Sequence, residues 1–362
     1  MTKRLFYILG VLAVLGMLLA ACGGTSSQST QPQAPEKKGA VPSGFGETLK
    51  TVKDRGYLIC GVNAQLPGFG YVDDQGNYKG FDVDFCHAVA AAIFGDPSKV
   101  EFRPLTAKER FTALQTGEID VLIRNTTWTL TRDTELGTNF APTTFYDGQG
   151  IMVRKDSGIT KLEDLDGAKI CVATGTTTEL NLADQMAAHN LKYTPVVFET
   201  ADQVFGAYEE GRCDAVTTDK SGLVSRRVTL KNPNDHIILD ATLSKEPLGP
   251  VVRQGDDQWF DIIKWVVFAT FTGEEMDINS KNVDDVKANT KNPNVKKFLG
   301  LEGEMGQKLG LSDNWAYNII KMVGNYAEIY DRNLGPNTPF NLPRGLNASW
   351  KDGGLLYAPP IR

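Results

Sequence analysis

The chain has 362 residues, 41% of them hydrophobic, and 44 acidic against 38 basic side chains leave a net charge of −6. That length exceeds one ordinary domain and favours two lobes, each long enough to bury a core. The charge is only modestly negative and no basic stripe interleaved with aromatics occurs, so nucleic acid is excluded as an expected partner.

Lys3 and Arg4 precede an apolar run over 5–21 that stops at Cys22-Gly23-Gly24. A charged start, an apolar middle and small residues at the end make an export signal. A retained membrane helix is the alternative, at the short end of the length range. Leu19-Ala20-Ala21-Cys22 resembles the lipobox of bacterial lipoproteins, which implies a signal peptide over 1–21 and a lipid on Cys22. The Ser/Thr/Gln/Pro-rich tract that follows has too little apolar surface to offset the entropy of ordering it, so 22–45 is expected to be a flexible tether. Lipid plus tether would hold a globular body outside the cytoplasm, at the membrane but not in it.

The body opens with a helix over 48–55 and a buried strand over 58–62; Gly76 to Gly80 then make a hairpin turn. A helix over 81–94 carries Asp82 and Asp84 in its first turn, where they complement the dipole, and Gly95-Asp96-Pro97 stops it. A strand over 100–104, a helix over 109–116 and an apolar strand at Val121 to Ile123 complete a β/α alternation, which predicts a mostly parallel sheet flanked by helices. The pattern recurs as helix 161–165, strand 169–174, helix 178–190, strand 195–198, helix 201–210 and strand 214–217. Residues 145–154 and 247–253 link the two units, a helix follows over 257–272, and the remainder is helical, then irregular where prolines break it. This places lobe one at 46–147 and 254–362 and lobe two at 148–253, with two crossings that permit a hinge.

Chemistry gathers just past two strand ends, where ligands of open α/β sheets bind. Asn125, Thr127 and Arg132 follow the strand at Val121, and Arg132 offers a bidentate grip for a carboxylate. In the second unit Gly175-Thr176-Thr177-Thr178-Glu179 opens a helix, so free N–H groups, the dipole and three hydroxyls meet at an anion site; simple capping by a threonine is the alternative. Asp219 follows another strand end and either caps the next helix or accepts an ammonium. Asp82 and Asp84 are further candidates for the same cleft. No nucleophile elbow, phosphate loop, dinucleotide fingerprint or zinc-protease motif occurs, and His87, His189 and His236 suit structural roles. No enzyme activity, cofactor or metal is therefore expected. Beyond Cys22, the four cysteines Cys60, Cys86, Cys171 and Cys213 suit two disulfides in an exported chain, and three pairings are open.

The stretches LTAKERFTALQTGEID, RNTTWTLTRD, GTTTELNLAD, KEPLGPVVRQGDDQWFDI, WAYNIIKMVGNY and GLNASW resemble the solute-binding proteins of polar amino-acid ABC transporters, most closely their general L-amino-acid branch. The resemblance spans about 49–362. It implies a two-lobed periplasmic-binding-protein type II fold, two doubly wound α/β lobes joined by two crossing strands. It also implies a monomeric, extracytoplasmic receptor that takes a free L-amino acid into the cleft and delivers it to a membrane permease. Arg132 would hold the α-carboxylate with Thr127, Thr176 and Thr177, Asp219 would take the ammonium, and Asn125 stands where relatives often carry serine. The position that often stacks an aromatic on the ligand falls near Ala107, which suits a roomier pocket. With the lobes so assigned, bridges within each lobe leave the hinge free, so Cys60–Cys86 and Cys171–Cys213 are expected. The same fold also hosts periplasmic dehydratases, and a tethered receptor can instead signal to a membrane kinase; both are the competing readings.

Overall fold

The computed structural model describes residues 44–362. The expected signal peptide at 1–21, the expected lipid acceptor Cys22 and the expected tether up to residue 43 lie outside the described residues.

Helix α1 (Glu47–Arg55) ends at Gly56, whose φ of +85° returns its N–H to the carbonyls of Val52 and Lys53, a left-handed stop that costs glycine little. Strand β1 (Leu58–Val62) is followed by a small antiparallel sheet of β2 (Gln65–Leu66), β3 (Gly70–Val72) and β4 (Tyr78–Lys79). Next come α2 (Phe81–Phe94), β5 (Val100–Pro104), α3 (Arg110–Gln115), β6 (Val121–Leu122), α4 (Leu130–Thr134) and β7 (Thr138–Phe140). The chain then crosses as β8 (Phe145–Arg154) into β9 (Ala168–Ala173), α5 (Thr177–Ala188), β10 (Tyr193–Phe198), α6 (Ala201–Glu209), β11 (Ala215–Asp219), α7 (Lys220–Arg227) and β12 (His236–Ile238). It returns through β13 (Lys245–Leu248) and β14 (Val251–Arg253) to a helical segment of α8 (Asp257–Glu275), α9 (Val283–Asn289), α10 (Pro293–Phe298), α11 (Met305–Lys308), α12 (Trp315–Met322) and α13 (Tyr326–Asn333).

Two mixed sheets carry the lobes, in the orders β5-β1-β6-β14-β7 and β10-β9-β11-β8-β12, with β13 paired to β8. The expected mostly parallel sheets hold only for the triads β5-β1-β6 and β10-β9-β11; β8 and β14 run antiparallel to their neighbours. Residues 145–154, expected as a link, form a ten-residue strand in the second sheet. The second crossing ends earlier than the expected boundary at 253, because β14 already pairs with β6 and β7 of the first sheet. The crossing is thus built from backbone hydrogen bonds on both sides.

The first lobe buries the larger core. α2 packs its aromatic face on α8, α12 and α13, where the Phe81 and Tyr326 rings lie 5.7 Å apart and the Phe81 and Phe85 rings 5.2 Å. Trp259 of α8 is fully buried, and its indole N–H donates to the Asp120 carbonyl at 3.0 Å. Both disulfides lie within a lobe, Cys60–Cys86 from β1 to α2 and Cys171–Cys213 from β9 to the turn before β11, with Cα separations of 6.2 and 5.7 Å.

Candidate functional site

Beyond β6 the chain turns at Asn125, whose φ of +31° is left-handed, a conformation Asn tolerates better than most residues. Its N–H donates to Asp82 Oδ2 at 2.7 Å, and its side-chain oxygen accepts from Asn63 Nδ2 at 3.1 Å. Asn125 therefore shapes the loop, with its side-chain oxygen taken by Asn63 and its NH2 bonded to no described residue. Two backbone bonds, Trp128 N to Pro247 O at 2.8 Å and Gly249 N to Thr126 O at 3.1 Å, lash this loop to the returning crossing. Thr129 caps α4 by accepting from the Arg132 N–H at 3.2 Å. That cap aims Arg132, which is buried, donates from Nη1 to the Thr127 carbonyl at 2.9 Å, and lies over the Phe111 ring at 5.2 Å. No described residue takes a hydrogen bond from its Nη2 or Nε.

In the second lobe, Thr176 is the N-cap of α5: its hydroxyl accepts from Glu179 N at 3.1 Å and donates to the Ala173 carbonyl at 2.7 Å. Thr177 reaches across instead, with its hydroxyl 3.3 Å from that of Thr127. A Cβ placed on Gly175 would come within 3.0 Å of the Lys108 Cα, so the lobes meet here and only glycine fits. Lys108 also pairs with Glu199 at 3.0 Å, Ser225 donates to the Pro67 carbonyl and Arg226 to the Gln65 carbonyl at 3.0 Å. The cleft is closed. Ala107, where relatives often place an aromatic, is buried beside Gly175.

Asp219 ends β11 and occupies the N-cap position of α7, yet its side chain caps nothing. Its carboxylate is buried, with no hydrogen-bond donor among the described residues. Burial, then the nearby Asp147 and Glu246 charges, push this carboxyl well above the ordinary range, while Arg110 and Arg132 pull it down. Asp147 accepts from Ser221 N at 3.2 Å and is pushed up to about 6, chiefly by burial. Arg132 is itself pulled down by burial and supported by Glu246 and Asp219. The clamp thus holds complementary charges from opposite lobes in one water-poor space.

A family model described as "Bacterial extracellular solute-binding proteins, family 3" matches residues 58–282. The chain belongs to this family. Among its relatives, the general L-amino acid-binding periplasmic protein AapJ of Rhizobium johnstonii is 59% identical over 87% of this chain and 93% of its own. The glutamate/glutamine/aspartate/asparagine-binding protein BztA of Rhodobacter capsulatus is 53% identical, again over 87% and 93%. A solved ABC transporter periplasmic binding protein from Brucella ovis with glutathione bound superposes with a TM-score of 0.85, at 53% identity, covering 87% of this chain and 99% of its own. These likenesses identify the fold as the two-lobed periplasmic binding protein type, and these close relatives are named as binding proteins.

For a family 3 protein the most informative residue is one that sequence reasoning did not single out. Glu246 of β13 is fully buried, and its Oε2 accepts from the hydroxyls of Thr127 at 2.5 Å and Thr177 at 2.8 Å, its Oε1 from Ser244 at 2.6 Å and Asn181 at 2.8 Å. One carboxylate therefore joins the loop of lobe one to the helix of lobe two. Thr127 and Thr177 each have a single hydroxyl proton, so neither is free to donate to a second anion while Glu246 holds it. Arg110 was also missed: it is buried, its Nη1 reaches the Arg124 carbonyl at 3.3 Å and Thr126 Oγ1 at 3.4 Å, and its Nε has no partner among the described residues. In the sequence Glu246 follows another charged residue, Lys245, so nothing local marked it as buried. Of the two early aspartates, Asp82 joins this site through Asn125, with burial pushing it up to about 7, whereas Asp84 pairs with Arg332 at 2.7 Å, elsewhere.

Proposed function

We propose that this protein captures free L-amino acids between its lobes and, held at the membrane by a lipid on Cys22, presents the closed form as a monomer to the permease of an ABC importer. The observation that carries this reading is Asp219: a buried carboxylate without a donor among the described residues, at a cap position it does not use, within electrostatic reach of an arginine on the other lobe. An α-amino acid matches that pair. Its ammonium would satisfy Asp219 at charge-assisted strength, and its carboxylate would take the spare N–H groups of Arg132. Because Glu246 already uses the Thr127 and Thr177 hydroxyls, the contribution of α5 to the carboxylate would come from the backbone N–H groups of its first turn, which have no intrahelical partner. In this reading Thr176 acts through its cap, Thr177 and Thr127 through the Glu246 bridge, and Asn125 through its backbone. Both charges of a zwitterion are satisfied together only when the lobes meet, so ligand selects closure.

Support from relatives is consistent in kind. One is named for general L-amino acids, one for glutamate, glutamine, aspartate and asparagine, and one was solved with glutathione, which carries the same α-amino-acid end. A thermal-shift screen of the mature chain against the common amino acids and glutathione tests the reading, since a ligand of the folded state raises the melting temperature by mass action. A chain whose melting temperature is unmoved by all of them does not bind amino acids in this cleft.

A further inference from the structure

Arg110, the first residue of α3, is only 2% exposed, yet it forms no ion pair among the described residues. Its Nη1 alone is engaged, at 3.3 Å from the Arg124 carbonyl and 3.4 Å from both the Asn125 carbonyl and Thr126 Oγ1. These are three long contacts on one nitrogen. Nε is buried without a partner, and Nη2 has none among the described residues. A guanidinium carries five N–H donors and no acceptor, and a buried donor left unmatched costs about 1 to 3 kcal/mol, more on a charged group. Stability does not account for a cation held in that state; an anion entering the cleft does.

The geometry points to the α-carboxylate end of the clamp. The guanidinium carbons of Arg110 and Arg132 lie 5.4 and 5.2 Å from the centre of the same Phe111 ring. They also hold neighbouring points of one loop, Arg110 at Thr126 Oγ1 and Arg132 at the Thr127 carbonyl. After burial, the Arg132 charge is the strongest influence lowering the Arg110 pKa, while Asp219 and Glu246 hold it up. Neither acid supplies the missing acceptor. Glu246 takes its hydrogen bonds from Thr127, Thr177, Asn181 and Ser244, and Asp219 bonds to no described donor, Arg110 included. An α-amino acid carries both charges on one carbon, so a carboxylate shared by the two arginines leaves its ammonium beside Asp219, which is within electrostatic reach of both. The two carboxylate oxygens offer about four lone-pair sites, enough for both guanidiniums.

Resting on the amino-acid reading above, we infer that Arg110 is a second ligand-contacting arginine, which shares the α-carboxylate with Arg132 and contributes to the affinity of every free amino acid whatever its side chain. The carboxylate supplies the acceptor that no described residue provides.

Two measurements on the wild type, Arg110→Met and Arg110→Lys test this: calorimetry with alanine, leucine, glutamine and glutamate, and urea unfolding of the ligand-free chain. Arg110→Met is expected to lose about 10- to 150-fold in affinity for each ligand, the range of a hydrogen bond to a charged group. Its ligand-free stability is expected to hold or rise, because an unmatched buried cation is removed. Arg110→Lys, with one flexible ammonium in place of the fork, is expected to recover part of the affinity for every ligand. Unchanged affinity in Arg110→Met overturns the inference. A loss of affinity that comes with a loss of stability also overturns it, because Arg110 then acts only as loop support through Arg124, Asn125 and Thr126. A loss confined to ligands of one side-chain type moves Arg110 to the side-chain end and overturns it too, with the amino-acid reading left standing. A wild type that binds none of the four overturns both.

Discussion

The two turns that face each other across the cleft use their polar groups in opposite ways. In lobe one the segment from Arg124 to Arg132 spends its backbone on the crossing and on Asp82, and keeps spare guanidinium N–H groups for whatever enters. In lobe two the turn from Gly175 to Glu179 is closed on itself: Thr176 is saturated by the cap and Thr177 is committed to Glu246. In the proposed reading recognition charge is thus concentrated in lobe one, while lobe two contributes a helix end and one acid without a donor among the described residues, Asp219. The largest expected effect follows directly. Arg132→Ala would leave a ligand carboxylate buried without its partner, and amino-acid affinity measured by calorimetry is expected to fall by about 2 to 5 kcal/mol. Unchanged affinity would move the carboxylate grip to lobe two and reverse the comparison.

Asp219 breaks the symmetry in another way, through pH. Its carboxyl stands well above the ordinary range and Asp147 is pushed up to about 6, in both cases first by burial. For acids raised in the folded state, the stability of the ligand-free protein is full below the ordinary carboxyl range and declines as pH rises through the raised values. A ligand ammonium reverses the sign, because an adjacent cation favours the ionised acid. Binding is therefore expected to release protons and to tighten as pH rises toward the raised values, levelling off above them. Asp219→Asn should abolish most of that release and weaken binding by about 1.5 to 3 kcal/mol, the worth of a hydrogen bond to a charged group. Calorimetry in buffers of different ionisation enthalpy measures both, and an affinity flat with pH in the wild type would exclude Asp219 as the ammonium acceptor.

Much of this architecture was legible in the chain because local signals agreed with the fold. α2 and β5 occur at 81–94 and 100–104 as expected, since a glycine entry, two early aspartates and a Gly-Asp-Pro stop all point one way. β8 was read as a link between the two units; its strand character comes from pairing with β11, β12 and β13, far away in sequence. Glu246 and Asp147 were invisible for the same reason. They lie opposite each other in the β8–β13 register, so their burial is a property of the crossing and not of the residues around them. Arg132, Thr177 and Asp219 could be placed beforehand because each follows a strand end, a position that topology marks. Arg110 could not, since a charged residue opening a short helix reads as surface.

The Glu246 bridge is the next term in size, and it falls on stability before binding. In Glu246→Gln an amide NH2 replaces one of two oxygens that together face four donors. The threonine and serine hydroxyls can rotate to accept, but the Asn181 NH2 cannot. Urea unfolding of the ligand-free chain is expected to show a loss of about 1 to 3 kcal/mol, the cost of leaving a buried polar group unmatched. No loss would mean that the two turns are held together by the crossing alone.

The smallest effect separates capping from recognition at Thr176. Thr176→Ala removes the acceptor for Glu179 N and should lower stability by about 1 kcal/mol, the usual value for a lost N-cap. Its hydroxyl proton already goes to the Ala173 carbonyl at 2.7 Å, so amino-acid affinity of the folded chain is expected to change by less than about threefold, under 1 kcal/mol. If calorimetry instead shows a tenfold or larger loss at unchanged melting temperature, on the order of 1.4 kcal/mol, the Thr176 hydroxyl turns toward the ligand on binding. Lobe two would then share the carboxylate grip that the proposed reading assigns to lobe one.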